Sequence, residues 1–384
     1  MLTISSGYDP GYLTRAVATG RENYYLSAVA EHDEPPGIWT GLGCPELGLS
    51  VGSEVNNKIM ERLYSAFIDP RDPEHKTTLG RAPSRFAGNN DKISALITTR
   101  LAAEPEATEE RRDQIIMQAM KEQRAAVHFF DATFSVPKSV SLLHASLQVR
   151  AQQARDVGQA DEAEQWTARA RTVWDAIMAG NQAMLEYLQR EAGYSRAGYH
   201  SKGSGRFVDA HEWVIASFAQ HTSRDNDPQL HVHNAILNRV LREDPLASRM
   251  GDQRAWRTLD GIALYATKPA AGAIAERTLA EYLSEQLRVQ TIARADGNGW
   301  EISGISDAVR DQFSSRRRAI EPRVRQLIEE YGHKHGKAPD ARAVWSMAQF
   351  VTLDSRQAYL RIVPLTRWHD ARRRASPWPA RQPR

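Results

Sequence analysis

The chain has 384 residues, 41% hydrophobic and 25% charged, which is the composition of an ordinary globular protein. Its formal charge of +3 is too small to indicate nucleic-acid binding by itself. The single cysteine, Cys44, excludes an intrachain disulfide and predicts a reducing compartment. Because the N-terminal residues lack the basic and apolar regions of a signal peptide, and no apolar run is long enough to cross a bilayer, we expect a cytoplasmic protein without a membrane span.

The chain alternates between helical and extended patterns. The elements predicted in its first half are, in order, a helix from about Leu13 to Tyr25, a Pro- and Gly-rich loop over 31–57, a turn-rich excursion over 69–91, a helix around Glu109–Gln123 and a strand over Val127–Val136. Those that follow are a helix starting at Pro137, a helical hairpin over 146–192, a loop over 193–205, strands over 206–218 and 231–240, and helices over 262–292 and 311–332. Because the strands lack regular βαβ spacing, we predict an α+β fold with an antiparallel sheet.

The densest group of metal-binding side chains lies between Gln220 and Asn234, in the sequence QHTSRDNDPQLHVHN. Successive side chains of a strand alternate between faces, so His231 and His233 share one face and lie about 7 Å apart along the backbone. Turn-forming residues precede them, so the chain can fold back as a hairpin and bring His221 beside the pair. Neutral imidazoles commonly bind divalent metals. The segment therefore indicates either a metal site or ordinary histidines on an exposed sheet.

A second segment, FFDATFSVPKSVS over 129–141, places a carboxylate among aromatic residues. Asp131 at mid-strand needs an ion-pair partner or a chemical task. Alternation puts on one face Val127, Phe129, Asp131, Thr133 and Ser135, which grade from apolar to polar. Lys138 and Ser139 follow at a predicted helix N-terminus, where they either cradle a phosphate or simply cap the helix.

Tyrosines near the N-terminus, Tyr12 and the adjacent pair Tyr24 and Tyr25, are the third chemical feature. Adjacent side chains on a helix face different directions, so the pair would normally comprise one core and one surface tyrosine. A tyrosine hydroxyl has a pKa near 10, so it needs a base or a nearby positive charge to act as a nucleophile.

Taken in order, these segments resemble those of the TrwC/TraI-type (MobF) conjugative relaxases, which are HUH endonucleases. The resemblance covers residues 1–320. Besides the tyrosines, it rests on Trp39-Thr40-Gly41, Leu47-Gly48-Leu49, the run from Asp131 to Ser141, the run from Thr222 to His233, Trp256 to Leu259 and Gly299 to Ile302. It implies a central antiparallel sheet flanked by helices, with the active site on the open sheet face.

The resemblance also implies roles for individual residues. His231 and His233 would hold a divalent metal together with a third ligand, and Asp131 would orient or deprotonate the nucleophilic tyrosine. Lys138 and Arg224 would contact DNA phosphates, although ordinary salt bridges explain these two residues equally well.

Two alternatives stay open for the third ligand. In the family the first metal-binding histidine lies two residues before the threonine of Thr-Ser-Arg, and here that position is Gln220. His221 directly precedes Thr222, and a shift of one residue reverses the face of a strand side chain. Either a local bulge turns His221 toward the pair, or Gln220 binds through its amide oxygen. We favour His221.

The choice of nucleophile is similarly open. We place Tyr24 first, followed by Tyr25 and Tyr12, with Tyr8 as a weaker alternative to Tyr12. Attack on DNA would leave a 5′-phosphotyrosine and a free 3′-hydroxyl, and the covalent link retains the energy needed for rejoining.

The resemblance implies magnesium or manganese as the metal, with zinc or nickel as alternatives. The substrate would be single-stranded or hairpin DNA at a plasmid origin of transfer. Partners would be accessory relaxosome proteins, a coupling protein and a helicase, because the sequence contains no Walker A motif. We expect a bacterial cytoplasmic protein that can travel covalently attached to DNA.

We predict a nicking domain over 1–320, a helical extension over 321–366 and a basic disordered tail over 367–384. Two other functions are considered. A rolling-circle replication initiator shares this chemistry but usually carries its tyrosine after the histidines. The other is a truncated, non-catalytic relaxase remnant that binds single-stranded DNA.

Overall fold

A computed structural model describes residues 1–7, 35–82, 89–104, 126–198, 205–223, 227–247, 253–295 and 299–340, together with scattered positions outside these ranges. Its central feature is a five-stranded sheet in the order β1-β3-β7-β6-β2, in which every neighbouring pair is antiparallel. The strands of this sheet are β1 (Leu2–Gly7), β2 (Ile38–Thr40), β3 (Phe129–Ser135), β6 (Ile215–Thr222) and β7 (Pro228–Leu237). The predicted α+β class with a central antiparallel sheet is confirmed.

Shorter ribbons and helices surround the sheet. The two-stranded ribbons pair β4 (Tyr194–Ala197) with β5 (Arg206–Asp209), β8 (Val240–Glu243) with β9 (Arg254–Arg257), and β10 (Thr291–Ala293) with β11 (Trp300–Ile302). The labelled helices are α1 (Asn57–Ala66), α2 (Asn89–Ala103), α3 (Lys138–Asp156), α4 (Ala160–Ala192), α5 (Gly261–Leu287), α6 (Asp307–Gln312) and α7 (Ser315–His335). In the described ranges, no helix combines the length and apolar character that a bilayer crossing requires.

One face of the sheet is covered by helices along its whole length. Alternate strand residues such as Phe134, Val232 and Ile236 point to this face and join the main core with side chains of α3, α4 and α5. Helices α4 and α5 approach closely at Gly180, where an added Cβ would lie 2.7 Å from the Ala275 carbonyl oxygen. This face is therefore closed to solvent and to substrate.

The opposite face carries two different kinds of side chain among the described residues. A second core packs there around Trp39, Tyr64, Phe129 and Phe218. The lone thiol, Cys44, is fully buried in this core and donates to the carbonyl of Thr40. Toward the other end of the same face the side chains become polar, and they form the surface that we call the polar face: Thr3, Ser5, Asp131, Thr133, Ser135, Gln220, His231 and His233.

Several sequence predictions are confirmed by these elements. The strand over 127–136 corresponds to β3, and Pro137 occupies the N-cap of α3. The helical hairpin corresponds to α3 and α4, which are separated at Val157 and Gly158. The hairpin before His231 is formed by β6 and β7.

Other predictions differ from the structure. The loop predicted over 193–205 contains strand β4, because Tyr194–Ala197 pairs with β5. The single strand predicted over 206–218 is divided into β5 and β6 by the irregular segment 210–214. The boundary predicted at residue 320 falls within helix α7. The predicted helix over 13–25, most of the helix over 109–123 and the tail lie outside the described residues.

Candidate metal centre on the polar face

Strand pairing brings three chemically active strands together at the polar end of the sheet. β7 lies between β3 and β6, and its register places His233 opposite Thr133 and His231 opposite Ser135. On the other side, His231 lies opposite Gln220. Directly opposed residues in an antiparallel pair point to the same face, so these side chains converge.

His233 is held by two groups on β3. Its Nδ1 lies 3.0 Å from Oδ2 of Asp131 and 3.0 Å from Oγ1 of Thr133. The Asp131 carboxylate is 8% exposed, and it also accepts a 3.1 Å hydrogen bond from the Thr133 hydroxyl. A carboxylate beside Nδ1 favours the tautomer with a proton on that nitrogen, which leaves the lone pair on Nε2. Asp131 therefore orients the His233 ring with the Nε2 lone pair as its available donor.

His231 is fixed in a similar way by the backbone. Its Nδ1 lies 2.8 Å from the carbonyl oxygen of Gln229, which can only accept, so Nδ1 carries the proton and Nε2 the lone pair. The ring centroids of His231 and His233 are 5.0 Å apart. Two imidazoles this close, each with Nδ1 engaged, are residues that could hold a divalent metal through Nε2.

Gln220 and His221 lie on opposite sides of the sheet. Gln220 faces the same way as its partner His231 and is 3% exposed. The pairing of β6 with β7 shifts register between Gln220 and Thr222, which marks a bulge. The ring of His221 does not join the pair: it stacks on Trp174 of α4, with centroids 4.9 Å apart, on the helix-covered side.

His221 belongs to a cluster behind the sheet. Its ring also stacks on that of His144 in α3, with centroids 5.9 Å apart. Burial, with a smaller contribution from His221, lowers the pKa of His144 to about 4. His144 is therefore neutral at physiological pH, and the cluster is an aromatic packing contact.

Strand β7, which carries the two histidines, is held on its helix-covered face by hydrogen bonds of buried amides. Asn234 follows His233 and points to the opposite face, where its Nδ2 donates to Ala132 O and Asn181 Oδ1, both at 2.8 Å. Its Oδ1 accepts from Ser217 Oγ at 2.7 Å. These contacts tie β7 to β3, β6 and α4, and they satisfy amide groups that would be costly to bury alone.

The start of α3 is occupied by an internal anion. The Ser139 backbone N–H donates to the carboxylate of Glu301 at 2.9 Å, and Lys138 Nζ donates to the carbonyl of Pro228 at 2.9 Å. The helix N-terminus that suggested a phosphate cradle therefore already binds Glu301 of β11.

Sequence reasoning missed several of these supporting residues. The alternation of β3 placed Thr133 on the active face but gave it no task, and Asn234, Gln229 and Glu301 were not singled out for the site. Only the register between strands distant in sequence, and the docking of β11 against α3, assign contacts to them.

The remaining predicted site residues cannot be compared with this geometry. Tyr12, Tyr24, Tyr25, Tyr8 and Arg224 lie outside the described residues. Within the described ranges, no three His, Cys, Asp or Glu side chains gather in a metal-binding arrangement.

Comparison with known proteins identifies similar chains. The family model described as TrwC relaxase matches residues 7–376. A metal-bound structure of the conjugative relaxase TrwC with oriT DNA is 21% identical, with a TM-score of 0.53, and the match covers 91% of this chain and 90% of that one. A copper-bound structure of the same kind of complex is 20% identical over the same shares, with a TM-score of 0.56.

A third solved structure holds TrwC with a 27-mer DNA that comprises the recognition hairpin and the cleavage site. It is 21% identical, covers the same 91% and 90% of the two chains, and has a TM-score of 0.52. No curated protein sequence matches the chain. The shared fold includes the part of the chain that carries the polar face.

Proposed function

Because this chain belongs to the TrwC relaxase family, we propose that it nicks one DNA strand at a plasmid origin of transfer and then transfers or rejoins that strand. The observation that carries the proposal is the convergence of His231, His233 and Asp131 on the polar face. The family match favours this function over a rolling-circle initiator. The ordered contacts of the histidines favour catalysis over a non-catalytic remnant.

The residues present suit a divalent metal. His231 and His233 would bind it through Nε2, because each Nδ1 is engaged elsewhere. When bound, the metal would polarise the phosphodiester and offset its negative charge. Solved relatives contain metal, one of them copper, and for this chain we propose magnesium or manganese.

We propose Gln220 as the third protein ligand, in place of the initially favoured His221. The support is geometric: Gln220 lies opposite His231 on the polar face, whereas His221 stacks on Trp174 behind the sheet. An amide oxygen is a harder donor than imidazole. Compared with a site of three histidines, a site with Gln220 would therefore have lower affinity for zinc, nickel and copper. The loss of affinity for magnesium and manganese would be smaller.

We propose Tyr24 as the first nucleophile, with Tyr25 and Tyr12 as the other candidates. The tyrosine oxygen attacks phosphorus, the bond to the 3′ oxygen breaks, and the product is a 5′-phosphotyrosine with a free 3′-hydroxyl. Asp131 would accept the tyrosine proton, since it is the carboxylate that lies beside His233 on the polar face. Attack by another strand's 3′-hydroxyl reverses the step and releases the tyrosine.

The proposed substrate is single-stranded DNA beside a hairpin, as in the TrwC complexes. Arg224 and Lys138 are proposed phosphate contacts. We further propose that the protein acts in the bacterial cytoplasm with accessory proteins, a coupling protein and a separate helicase.

Formation of a covalent protein–DNA adduct tests the function. We expect the wild type to form an adduct on labelled single-stranded DNA from its own plasmid's origin with Mn²⁺ or Mg²⁺, and to form none in EDTA. Tyr24→Phe should lose the adduct, whereas Tyr25→Phe and Tyr12→Phe should retain it. If the wild type formed no adduct, the proposed function would be contradicted. If only Tyr12→Phe lost the adduct, the choice of nucleophile would be contradicted.

Calorimetric titration with Mn²⁺ and Ni²⁺ tests the third ligand without relying on activity. Gln220→Ala should lower the affinity for both metals at least tenfold, and His221→Ala should leave the affinity within about twofold. Gln220→His should bind Ni²⁺ more tightly than the wild type. A larger loss in His221→Ala than in Gln220→Ala would restore His221 as the ligand.

A further inference from the structure

A cleft of about 260 Å³ opens beyond the polar end of the sheet, between the start of α3, the ribbon β10–β11 and helices α6 and α7. Most of its lining is charged. The residues of this basic cleft are Lys138, Arg294, Ala295, Glu301, Asp307, Arg310, Asp311, Ser314 and Arg317. Arg294, Arg310 and Arg317 have no part in the site described above.

The inner part of the basic cleft has more positive than negative charge. Its one inner carboxylate, Glu301, has a side chain that is only 4% exposed. One oxygen accepts from the Ser139 N–H, and the other lies 3.6 Å from Arg294 Nη1 and 3.8 Å from Arg310 Nε. Lys138 lies within the electrostatic influence of Asp227 and, to a smaller extent, of Glu301. Two carboxylates, Glu301 and Asp227, thus lie among the three cations Lys138, Arg294 and Arg310.

The other acids of the cleft lie at its rim. Asp307 pairs with Arg310, but its side chain is 85% exposed, and Asp311 is exposed as well. Solvent screens these carboxylates more strongly than it screens the partly buried Arg310, whose side chain is 17% exposed. The interior therefore favours an anion. Burial also lowers the pKa of Lys138, and a bound anion would favour its protonated form.

The basic cleft adjoins the strand that carries the histidines. Lys138 Nζ donates to the carbonyl of Pro228, the first residue of β7, which lies three residues, or about 10 Å, before His231. Beside it, Asp227 accepts from the backbone N–H and hydroxyl of Ser315, which fixes the start of α7 next to β7. A DNA strand crossing the polar face toward this end would reach the basic cleft next.

We propose that the basic cleft binds a backbone phosphate of the DNA strand, at a linkage other than the one that is cut. The inference rests on the proposed function, because it assumes that DNA lies on the polar face. It assigns Arg294, Arg310 and Arg317 to substrate binding together with Lys138. Arginine suits this task because its planar donors match phosphate oxygens.

The chain offers a matched pair of variants. Arg317 and Arg325 both lie on α7, and both pair with Glu321, at 2.7 Å and 3.3 Å. Only Arg317 lines the basic cleft. Each variant therefore removes one positive charge from α7 and one ion pair with Glu321. The two variants differ in the distance of the lost charge from the proposed phosphate.

Binding of a fluorescent single-stranded origin oligonucleotide is measured by anisotropy in EDTA at several NaCl concentrations, so that no cutting takes place. One phosphate contact contributes about 0.7 to the slope of log K against log [NaCl]. Arg317→Ala, and separately Arg294→Ala, should reduce the slope by about this amount, while Arg325→Ala should leave it unchanged. Equal slopes for Arg317→Ala, Arg325→Ala and the wild type would overturn the proposal.

A second arm locates the phosphate. Oligonucleotides carrying one uncharged methylphosphonate linkage, moved position by position, should bind the wild type more weakly when the substituted linkage lies in the cleft. At that position Arg317→Ala should lose nothing further. Additive losses at every position would overturn the proposal. So would competition by millimolar inorganic phosphate without any change in the DNA slope, because the ligand would then be a free anion.

The adduct assay separates this inference from the proposed function. If the wild type forms adducts but the salt slopes of both cleft variants are unchanged, phosphate binding in the cleft is refuted and the proposed relaxase function is not. Absence of DNA binding by the wild type would overturn both.

Discussion

Asp131 is buried and contacts His233, a proposed metal ligand, so replacing this one side chain should change the metal affinity. Asp131→Ala removes the acceptor for His233 Nδ1, and loss of such a partner typically costs 10- to 100-fold in metal affinity. We expect a loss of about this size for Mn²⁺ by calorimetry. Asp131→Asn should lose less, because its amide oxygen still accepts the proton of Nδ1.

Thr3→Ala is the control for this comparison, because Thr3 is exposed on the same face at the edge strand β1 and should not affect the metal. An unchanged affinity in Asp131→Ala would mean that the carboxylate does not orient His233.

His144 gives a prediction about pH. Its pKa is about 4 in the folded protein, below the ordinary value of 6.5, mainly because of burial. The unfolded chain therefore takes up a proton at higher pH than the folded one. The resulting stability is present above pH 6.5 and is lost as the pH falls toward 4. Between pH 7.5 and 5 we expect a loss of about 2 kcal/mol from this residue.

Urea unfolding at the two pH values measures this loss. His144→Phe keeps an aromatic ring in the stack with Trp174 and His221 but cannot titrate, so its stability should fall by about 2 kcal/mol less than that of the wild type. Parallel pH dependence in the two proteins would refute the assignment.

At the scale of elements, the contact between α4 and α5 sets a limit on side-chain size. A Cβ at Gly180 would lie 2.7 Å from a backbone oxygen of α5, whereas a Cβ at Gly332 in α7 would meet nothing within 4 Å. Gly180→Ala should destabilise the protein by about 1–3 kcal/mol, because the helices must separate. Gly332→Ala should stabilise α7 by up to about 1 kcal/mol.

Thermal unfolding compares the two alanine variants directly. Their difference cancels the intrinsic preference of helices for alanine over glycine and leaves the cost of the close approach. If Gly180→Ala were as stable as Gly332→Ala, the packing of α4 against α5 would have to be looser than described.

The elements also show what the sequence could predict. Strand β3, the start of α3 at Pro137 and the hairpin of α3 and α4 follow from local patterns: alternation, a fixed proline φ and helical periodicity. Local patterns do not decide the face of His221, because the choice of His221 as a ligand assumes a bulge that reverses ordinary strand alternation. In the structure Gln220 and His221 keep that alternation and face opposite sides of the sheet. The stacking partners of His221, Trp174 and His144, are far away in sequence.

For the candidate site, the sequence alone identified His231, His233 and Asp131 as chemically important. It did not identify the contact of Asp131 with His233, because the pairing of β3 with β7 joins residues about a hundred positions apart. Strand β4 was missed for a different reason, because a four-residue strand bounded by glycine has no periodicity of its own.

For the whole molecule, we expect the fold to form without the proposed metal. Two cores, one on each face of the sheet, are built mainly from apolar side chains. Metal at 100 times its Kd would add about 2.7 kcal/mol to the free energy of unfolding. EDTA should therefore lower the Tm by no more than about 10 °C and leave the far-UV circular dichroism unchanged.

The same treatment should abolish the covalent adduct. Cooperative unfolding in EDTA at room temperature would instead show that the metal is structural, as it is in small zinc domains.

The burial of Cys44 has a practical consequence for spectroscopy. Burial raises the pKa of its thiol to about 11, so only about one molecule in ten thousand carries a thiolate at neutral pH. Since the chain has no other cysteine, one introduced at an exposed position such as Arg325 would be the only thiol to react with a maleimide dye. Cys44 therefore need not be replaced before a labelling cysteine is introduced. A donor dye on α7 and an acceptor dye on the oligonucleotide would then report the path of the DNA by energy transfer.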